Sequence, residues 1–389
     1  MSWATAAPAT ADENVPLNAG ECKFNTNNIE ETPWSLQRIL TNQLWEYGKG
    51  EGVRVGVIDT GVDVDNKQLS GAIGKGGDTL VKGKETQDEV GHGTKVAGII
   101  AARKISGSGF FGLAPAAKIV PYKQTTEEKA GTAESLAKAI DKAVAADVKI
   151  LNISQGTDAD PSKLGPLKTS ILNAAVHGTL IIASAGNGGA DGKQKNTYPA
   201  AFEEYENVLA VAASDRNNER APFSQSGKFV GIAAPGVDMV STVPDGGNCV
   251  DQGTSFSAPY VAGAAALLKQ KHPDWKPQEL IWHLEETAER VRAGRDNYIG
   301  WGVVDPVAAL NDNNKPTGPP QPDKPGNSAA SIKVQAVAVP IGETTEDRRA
   351  RISIYILGGG LLAVGVVVGS AIALRDWRRK TGFSRNGEA

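Results

Sequence analysis

The chain has 389 residues, 40% of them apolar, and its 41 basic and 44 acidic side chains leave a net charge of −3. So even a balance argues against nucleic acid as the main partner, because phosphate binding needs a clustered cationic face. Two cysteines, Cys22 and Cys249, exclude a disulfide-dense miniprotein and a four-thiolate zinc site. His92, His177, His272 and His283 lack metal-ligand spacing, so neither a metal nor a cofactor is expected.

In chain order, residues 1–11 end in Ala9-Thr10-Ala11 before Asp12, which fits an A-x-A cleavage site. They read either as the remnant of a signal peptide or as an unstructured terminus. Residues 12–47 form an N-terminal arm, and residues 48–310 a globular body. Val53 to Ile58 is a strand ending at Asp59; Ile119-Val120, Val148 to Ile153, Leu180 to Ala183 and Val208 to Ala212 are further buried strands. Leu136, Ala139, Ile140, Ala143 and Val144 follow helical spacing with Thr132 available as N-cap. A second helix opens at Pro277 and buries Leu280, Ile281, Leu284 and Ala288. Alternating strands and helices predict an α/β fold: a mostly parallel sheet with helices on both faces and function at the carboxyl ends of its strands.

Residues 311–351 read as a linker, because five prolines between Asn311 and Gly326 oppose helix and sheet and leave an extended spacer. Ile352 to Leu374 runs without a charge, long enough at about 1.5 Å per residue to cross a ~30 Å hydrocarbon core. It predicts one C-terminal transmembrane helix. The flank after it holds Arg375, Arg378, Arg379 and Lys380, which places the 375–389 tail in the cytoplasm and the body outside.

Three residues carry the chemistry. Asp59 ends a strand in VIDTGV, His92 sits in GHGTKVAGII, and Ser255 lies in GTSFSAPYVAG at a turn into an apolar helix. A serine hydroxyl needs a base to take its proton, histidine titrates near neutrality, and a buried carboxylate fixes the imidazole tautomer. Asn187 in ASAGNGG, just past a strand, is placed to donate to a developing oxyanion, with the Ser255 N–H as second donor. Asp63, Asp88 and Ser257 are the rival residues; Asp63 follows the turn and Ser257 lies two residues into its helix. His177, His272 and His283 are read as structural, and Thr126 to Lys129 as solvated surface.

DTGV, GHGTKVAG, SAGN and GTSFSAPYVAG, in the order Asp, His, Asn, Ser, resemble the motifs of the subtilisin-like (S8) serine proteases over about Trp34 to Leu310. The resemblance implies a subtilisin-like three-layer fold, a triad of Asp59, His92 and Ser255, and Asn187 in the oxyanion hole. It also implies that a protein or peptide substrate binds as an added β-strand beside Ser154, Gln155 and Gly156 and beside Ser184, Ala185 and Gly186. The wall there is small-residued apart from Gln155, so the preference at the cleaved position stays open. The arm with a cysteine, the Pro-rich linker and the single span are similar to the mycosins of type VII secretion systems, as are GFFGLAPAAKIVPYKQ and Gly300 to Leu310. That resemblance implies a membrane-anchored endopeptidase working with components of a type VII secretion membrane complex. The alternative is a structural subunit of that complex in which proteolysis is dispensable. Two departures stand out: no Asp/Asn-rich calcium loop is matched, and mycosins commonly carry more cysteines. An exported body favours oxidation, so Cys22 and Cys249 are expected to pair, which requires the arm to fold back onto the body.

Overall fold

A computed structural model describes residues 22–78, 84–126, 131–192, 196–323 and 345–382. The expected signal-peptide remnant, Glu127 to Lys129 and most of the linker lie outside the described residues.

The arm carries two short helices, α1 (Trp34–Gln37) and α2 (Thr41–Leu44). Then follow β1 (Arg54–Asp59), β2 (Gly77–Asp78), α3 (His92–Ala101), β3 (Lys118–Lys123), α4 (Ala133–Ala145) and β4 (Ile150–Ile153). After them come α5 (Gly165–Val176), β5 (Leu180–Ser184), β6 (Val208–Ser214) and β7 (Val230–Pro235). A hairpin of β8 (Met239–Thr242) and β9 (Asn248–Asp251) leads into α6 (Thr254–Lys271), α7 (Pro277–Glu286) and α8 (Pro306–Asn311).

The main sheet has seven strands in the order β2-β3-β1-β4-β5-β6-β7, every pair parallel. Side chains alternate across it, as a pleated strand requires. Val55 and Val57 of β1 and Leu180 and Ile182 of β5 pack into a core shared with α3 and α6. Ile58 and the intervening Ile181 and Ala183 face the opposite core, shared with α4 and α5. The result is the three-layer α/β fold that the sequence predicts. The expected cap on α4 forms: Thr132 Oγ1 accepts from Ser135 N at 3.1 Å, and Ser135 Oγ returns a bond from Thr132 N.

The sheet order sets the site. From β1 the chain runs outward to β2 and β3, then crosses back to β4 on the other side of β1. In such sheets the reversal of strand order marks the place, beyond the carboxyl ends of the strands, where ligands bind. Asp59 ends β1, Ser154 follows β4 and Asn187 follows β5.

From Cys22 onward the arm is bound to the body at several points. Cys22 and Cys249 form a disulfide with Cα atoms 5.5 Å apart. Asn25 N and Thr26 N donate to Pro244 O and Gly246 O in the hairpin turn, both at 3.1 Å. Trp34 Nε1 donates to Val237 O at 2.9 Å, and Tyr260 Oη to Ser35 O at 3.0 Å. After α8, residues 312–323 form no helix or strand, as their prolines dictate, yet they are held to the body. Arg290 Nη1 donates to Gln321 O at 3.0 Å and pairs with Asp323 Oδ1 at 2.6 Å, while Asp323 N donates to Ala293 O. The described residues of the second compact unit form one helix, α9 (Thr345–Gly382). Its stretch Arg351–Arg378, whose most apolar 18-residue window has a mean hydropathy of 2.2, is long and apolar enough to cross a membrane.

Candidate active site

Asp59 is fully buried where β1 meets the Thr60-Gly61 turn, and Oδ1 accepts from Thr60 N at 2.8 Å. The same oxygen lies 2.7 Å from His92 Nδ1, at the first position of α3. The contact needs α3 to start unusually close to β1, and glycine allows it. A Cβ on Gly93 would sit 3.1 Å from Asp59 Cβ and overlap Gly61 O, so any side chain there would push the two elements apart. An anionic Asp59 fixes the proton on Nδ1 and leaves Nε2 as the basic atom. Burial lowers the basicity of His92, but the charge and hydrogen bond of Asp59 outweigh it, and its pKa is raised above 6.5.

Asp88, a rival acid on sequence grounds, holds this arrangement from behind. One of its oxygens accepts from Thr60 Oγ1 at 2.7 Å and Gly91 N at 2.8 Å; the other accepts from Thr94 N at 2.8 Å and Thr94 Oγ1 at 2.6 Å. Thr60 Oγ1 in turn accepts from Gly93 N at 2.9 Å. The buried carboxylate thus laces the turn after β1 to the first turn of α3. No single-residue pattern reveals that role; only the GHGT motif places Thr94 where a nearby acid could reach it. Asp63, the other rival, is spent on the backbone, accepting from Asp65 N and Asp245 N.

Ser255 lies in the first turn of α6, behind Gly253 in an extended conformation with φ of 148° that disfavours other residues. Its Oγ donates to Ser154 O at 3.1 Å rather than to His92, and Ser154 Oγ donates to Ser255 O at 2.8 Å. Phe256, the next residue, places its ring 5.4 Å from the His92 imidazole, so the α3 and α6 N-termini meet at the site. Contacts between a catalytic serine and histidine commonly tighten only when substrate is bound. Ser257 is fully buried against Gly236.

Thr254 was not anticipated, and it orients Asn187. Asn187 Oδ1 accepts from Thr254 N at 2.8 Å and Thr254 Oγ1 at 3.0 Å, which turns the Nδ2 donors the other way. The position a Cβ on Gly253 would occupy lies 3.6 Å from Asn187 Nδ2 and 3.7 Å from Ser255 N. The two donors therefore lie close to one point beside Gly253, with Asn187 Oδ1 also 3.7 Å from it.

The expected substrate segments differ in their free backbone groups. Ala185 N donates to Val211 O, Gly186 N to Thr254 Oγ1, and Gly186 O accepts from Gln225 N. Ser184 is within β5. Those three groups of the stretch are therefore already used, while Gln155 is half-buried with Nε2 donating to Thr125 Oγ1 and Gly156 is exposed. The remaining histidines are structural. His177 caps α5, His272 stacks on Trp275 with centroids 3.9 Å apart, and His283 Nε2 meets Ala309 O at 2.8 Å.

A parallel α/β sheet with an Asp–His pair at one strand end and a serine at a facing helix start is the architecture of a subtilisin-like serine endopeptidase. Residues 50–302 match the model of the peptidase S8, or subtilase, family. The chain belongs to the subtilase family. Mycosin-1 of Mycolicibacterium smegmatis is 32% identical, over 96% of this chain and 91% of that protein. MycP1 from the ESX-1 type VII secretion system superposes with a TM-score of 0.69 at 30% identity, covering 78% of this chain and 92% of that one. A chain of an intact ESX-5 inner membrane complex gives a TM-score of 0.69 at 28% identity, covering 90% of this chain and 93% of that one.

Proposed function

We propose that the protein is a membrane-anchored, mycosin-like endopeptidase of a type VII secretion complex, with Asp59, His92 and Ser255 as its triad. The Asp59–His92 bond at 2.7 Å, beside the start of the helix that bears Ser255, carries the reading. Ser255 Oγ attacks the scissile carbonyl as its proton passes to His92 Nε2; Asp59 stabilises the imidazolium. The tetrahedral oxyanion accepts from Asn187 Nδ2 and Ser255 N, and its collapse expels the amine with the proton from His92. Water then repeats the sequence on the acyl-enzyme and releases the acid. Substrate lies extended along Ser154 to Gly156, with Ser184 to Gly186 as the opposite wall. The apolar α9 anchors the chain, and the kinship with a chain of the ESX-5 complex supports the secretion assignment.

The test is labelling of the full chain by a fluorophosphonate, followed by peptide cleavage. Wild type should label and cleave, and Ser255→Ala should do neither. Unchanged cleavage by Ser255→Ala would refute the triad. The second reading, a structural subunit, rests on the fit to an intact membrane complex. It predicts that cells carrying Ser255→Ala still secrete while cells lacking the chain do not.

A further inference from the structure

α3 is buried from Gly93 to Ala101, and the only charged side chain in that run is Lys95. Its ammonium, with 2% of the side chain exposed, lies 2.7 Å from Asp251 Oδ2 at the end of β9, itself 10% exposed. Neither charge is where stability alone would put it. A cation in the first turns of a helix opposes the helix dipole, and a buried ion pair is often no more stable than apolar residues of its size. The pair does, however, join two elements that the site depends on. α3 begins with His92, and β9 runs through Gln252 and Gly253 into Ser255. The surroundings reinforce that join. Ser241 Oγ and Thr242 Oγ1 of β8 donate to Lys95 O and Thr94 O at 2.6 and 2.8 Å, and Asp251 Oδ1 accepts from Gln252 N at 2.8 Å. Lys95 Nζ also stands 5.8 Å from the centre of the Phe256 ring, whose other neighbour is the His92 imidazole. The arm closes the cluster, with Cys22 Sγ 3.7 Å from Lys95 Nζ.

We propose that Lys95 and Asp251 are a positioning pair that locks the helix of the base to the strand delivering the nucleophile. The inference rests on the triad reading above. Removing either partner should loosen the His92–Ser255 approach, and a misplacement of about 1 Å can cost roughly 10²-fold in rate. The pair also acts on His92 through charge. The charged groups around the imidazole are Asp59 from β1, Lys95 on its own helix, Asp251 from β9, and Asp88, whose carboxylate is held by Gly91 and Thr94. Lys95 disfavours the imidazolium and Asp251 favours it. The two push in opposite directions, Lys95 the more strongly, so removing one leaves the other unopposed.

The experiment measures the second-order rate of fluorophosphonate labelling of the full-length protein against pH. Lys95→Met should lower the plateau by about 10²-fold and move the acid limb to higher pH, because Asp251 is left alone beside the histidine. Asp251→Asn should also lower the plateau but move the limb to lower pH. The double variant should bring the limb back towards wild type. Cooperative thermal unfolding checks that each variant folds; should Lys95→Met not fold, the downward limb shift of Asp251→Asn carries the test alone. Limbs unmoved from wild type, or moved in the same direction in both single variants, would overturn the pair's role. Failure of wild type to label at any pH would instead remove the triad reading, and the inference with it.

Discussion

Ser255 and Asn187 differ in how much of the site goes with them. Ser255→Ala removes one oxygen, which donates to Ser154 O, so the fold should survive while proteolysis drops by several orders of magnitude. Asn187→Ala keeps the Ser255 N–H and should cost on the order of 10²–10³ in kcat. Peptide kinetics on the purified protein measures both. For His92 the sign follows from its environment. Catalysis needs the neutral imidazole, and its pKa lies above 6.5, so kcat/KM should fall on acidification through a value higher than that of an ordinary histidine. A raised pKa also means that protonated His92 stabilises the fold below the unfolded value, a contribution lost as pH rises through the folded one. Of these residues the motifs made Asp59, His92, Ser255 and Asn187 legible as candidates, because each is embedded in a Gly-flanked signature. Asp88, Thr254 and Lys95 were not, since their partners lie on other elements and one sequence carries no sign of those contacts.

Elements were legible in proportion to their apolar content. β1, β3, β4, β5 and β6 follow from their apolar, β-branched runs, and α4 from its periodicity and cap, whereas the two-residue β2 shows no such run. β7 escapes because Val230 to Pro235 is half alanine and glycine and ends in proline, and β8 and β9 are too short and mixed to show alternation. The proline-rich run was legible as non-helical, but not as a strap, because Arg290 and Asp323 meet only in three dimensions. The starts of α3 and α6 make the sharpest demand on element placement. Gly93→Ala should push α3 from β1 and open the Asp59–His92 bond, with overlap against Gly61 O as the cause. It should lower both thermal stability and labelling by a fluorophosphonate, and a fully active Gly93→Ala would contradict the close approach.

At the scale of the molecule, one covalent bond ties the arm to the hairpin across 227 residues of sequence. On the chain-entropy account, closing so long a loop stabilises by roughly 5 kcal/mol. Denaturant unfolding with and without reductant should show a loss of up to that size, and equal midpoints would mean that the arm's other contacts suffice. The proposed topology is open to a direct test. Protease added to intact cells should digest the body and spare a tag placed after Ala389, because the basic flank follows the span. Protection of the body would reverse the orientation.

The arm's anchoring points have a consequence for the order in which the molecule is made. Thr26, Ile29 and Trp34 bind partners more than 200 residues away at Asn248 and Val237, and Tyr260 reaches back to Ser35. Synthesis delivers the arm first and these partners more than 200 residues later; Ile29 and Trp45 can meet Gly109 and Leu113 earlier, but the ties to Asn248, Val237 and Tyr260 wait for the hairpin and α6. Contacts of such sequence separation form late and slowly. Half-made chains that end before the hairpin therefore carry a leading segment only partly docked, and its fastening waits for β8, β9 and α6.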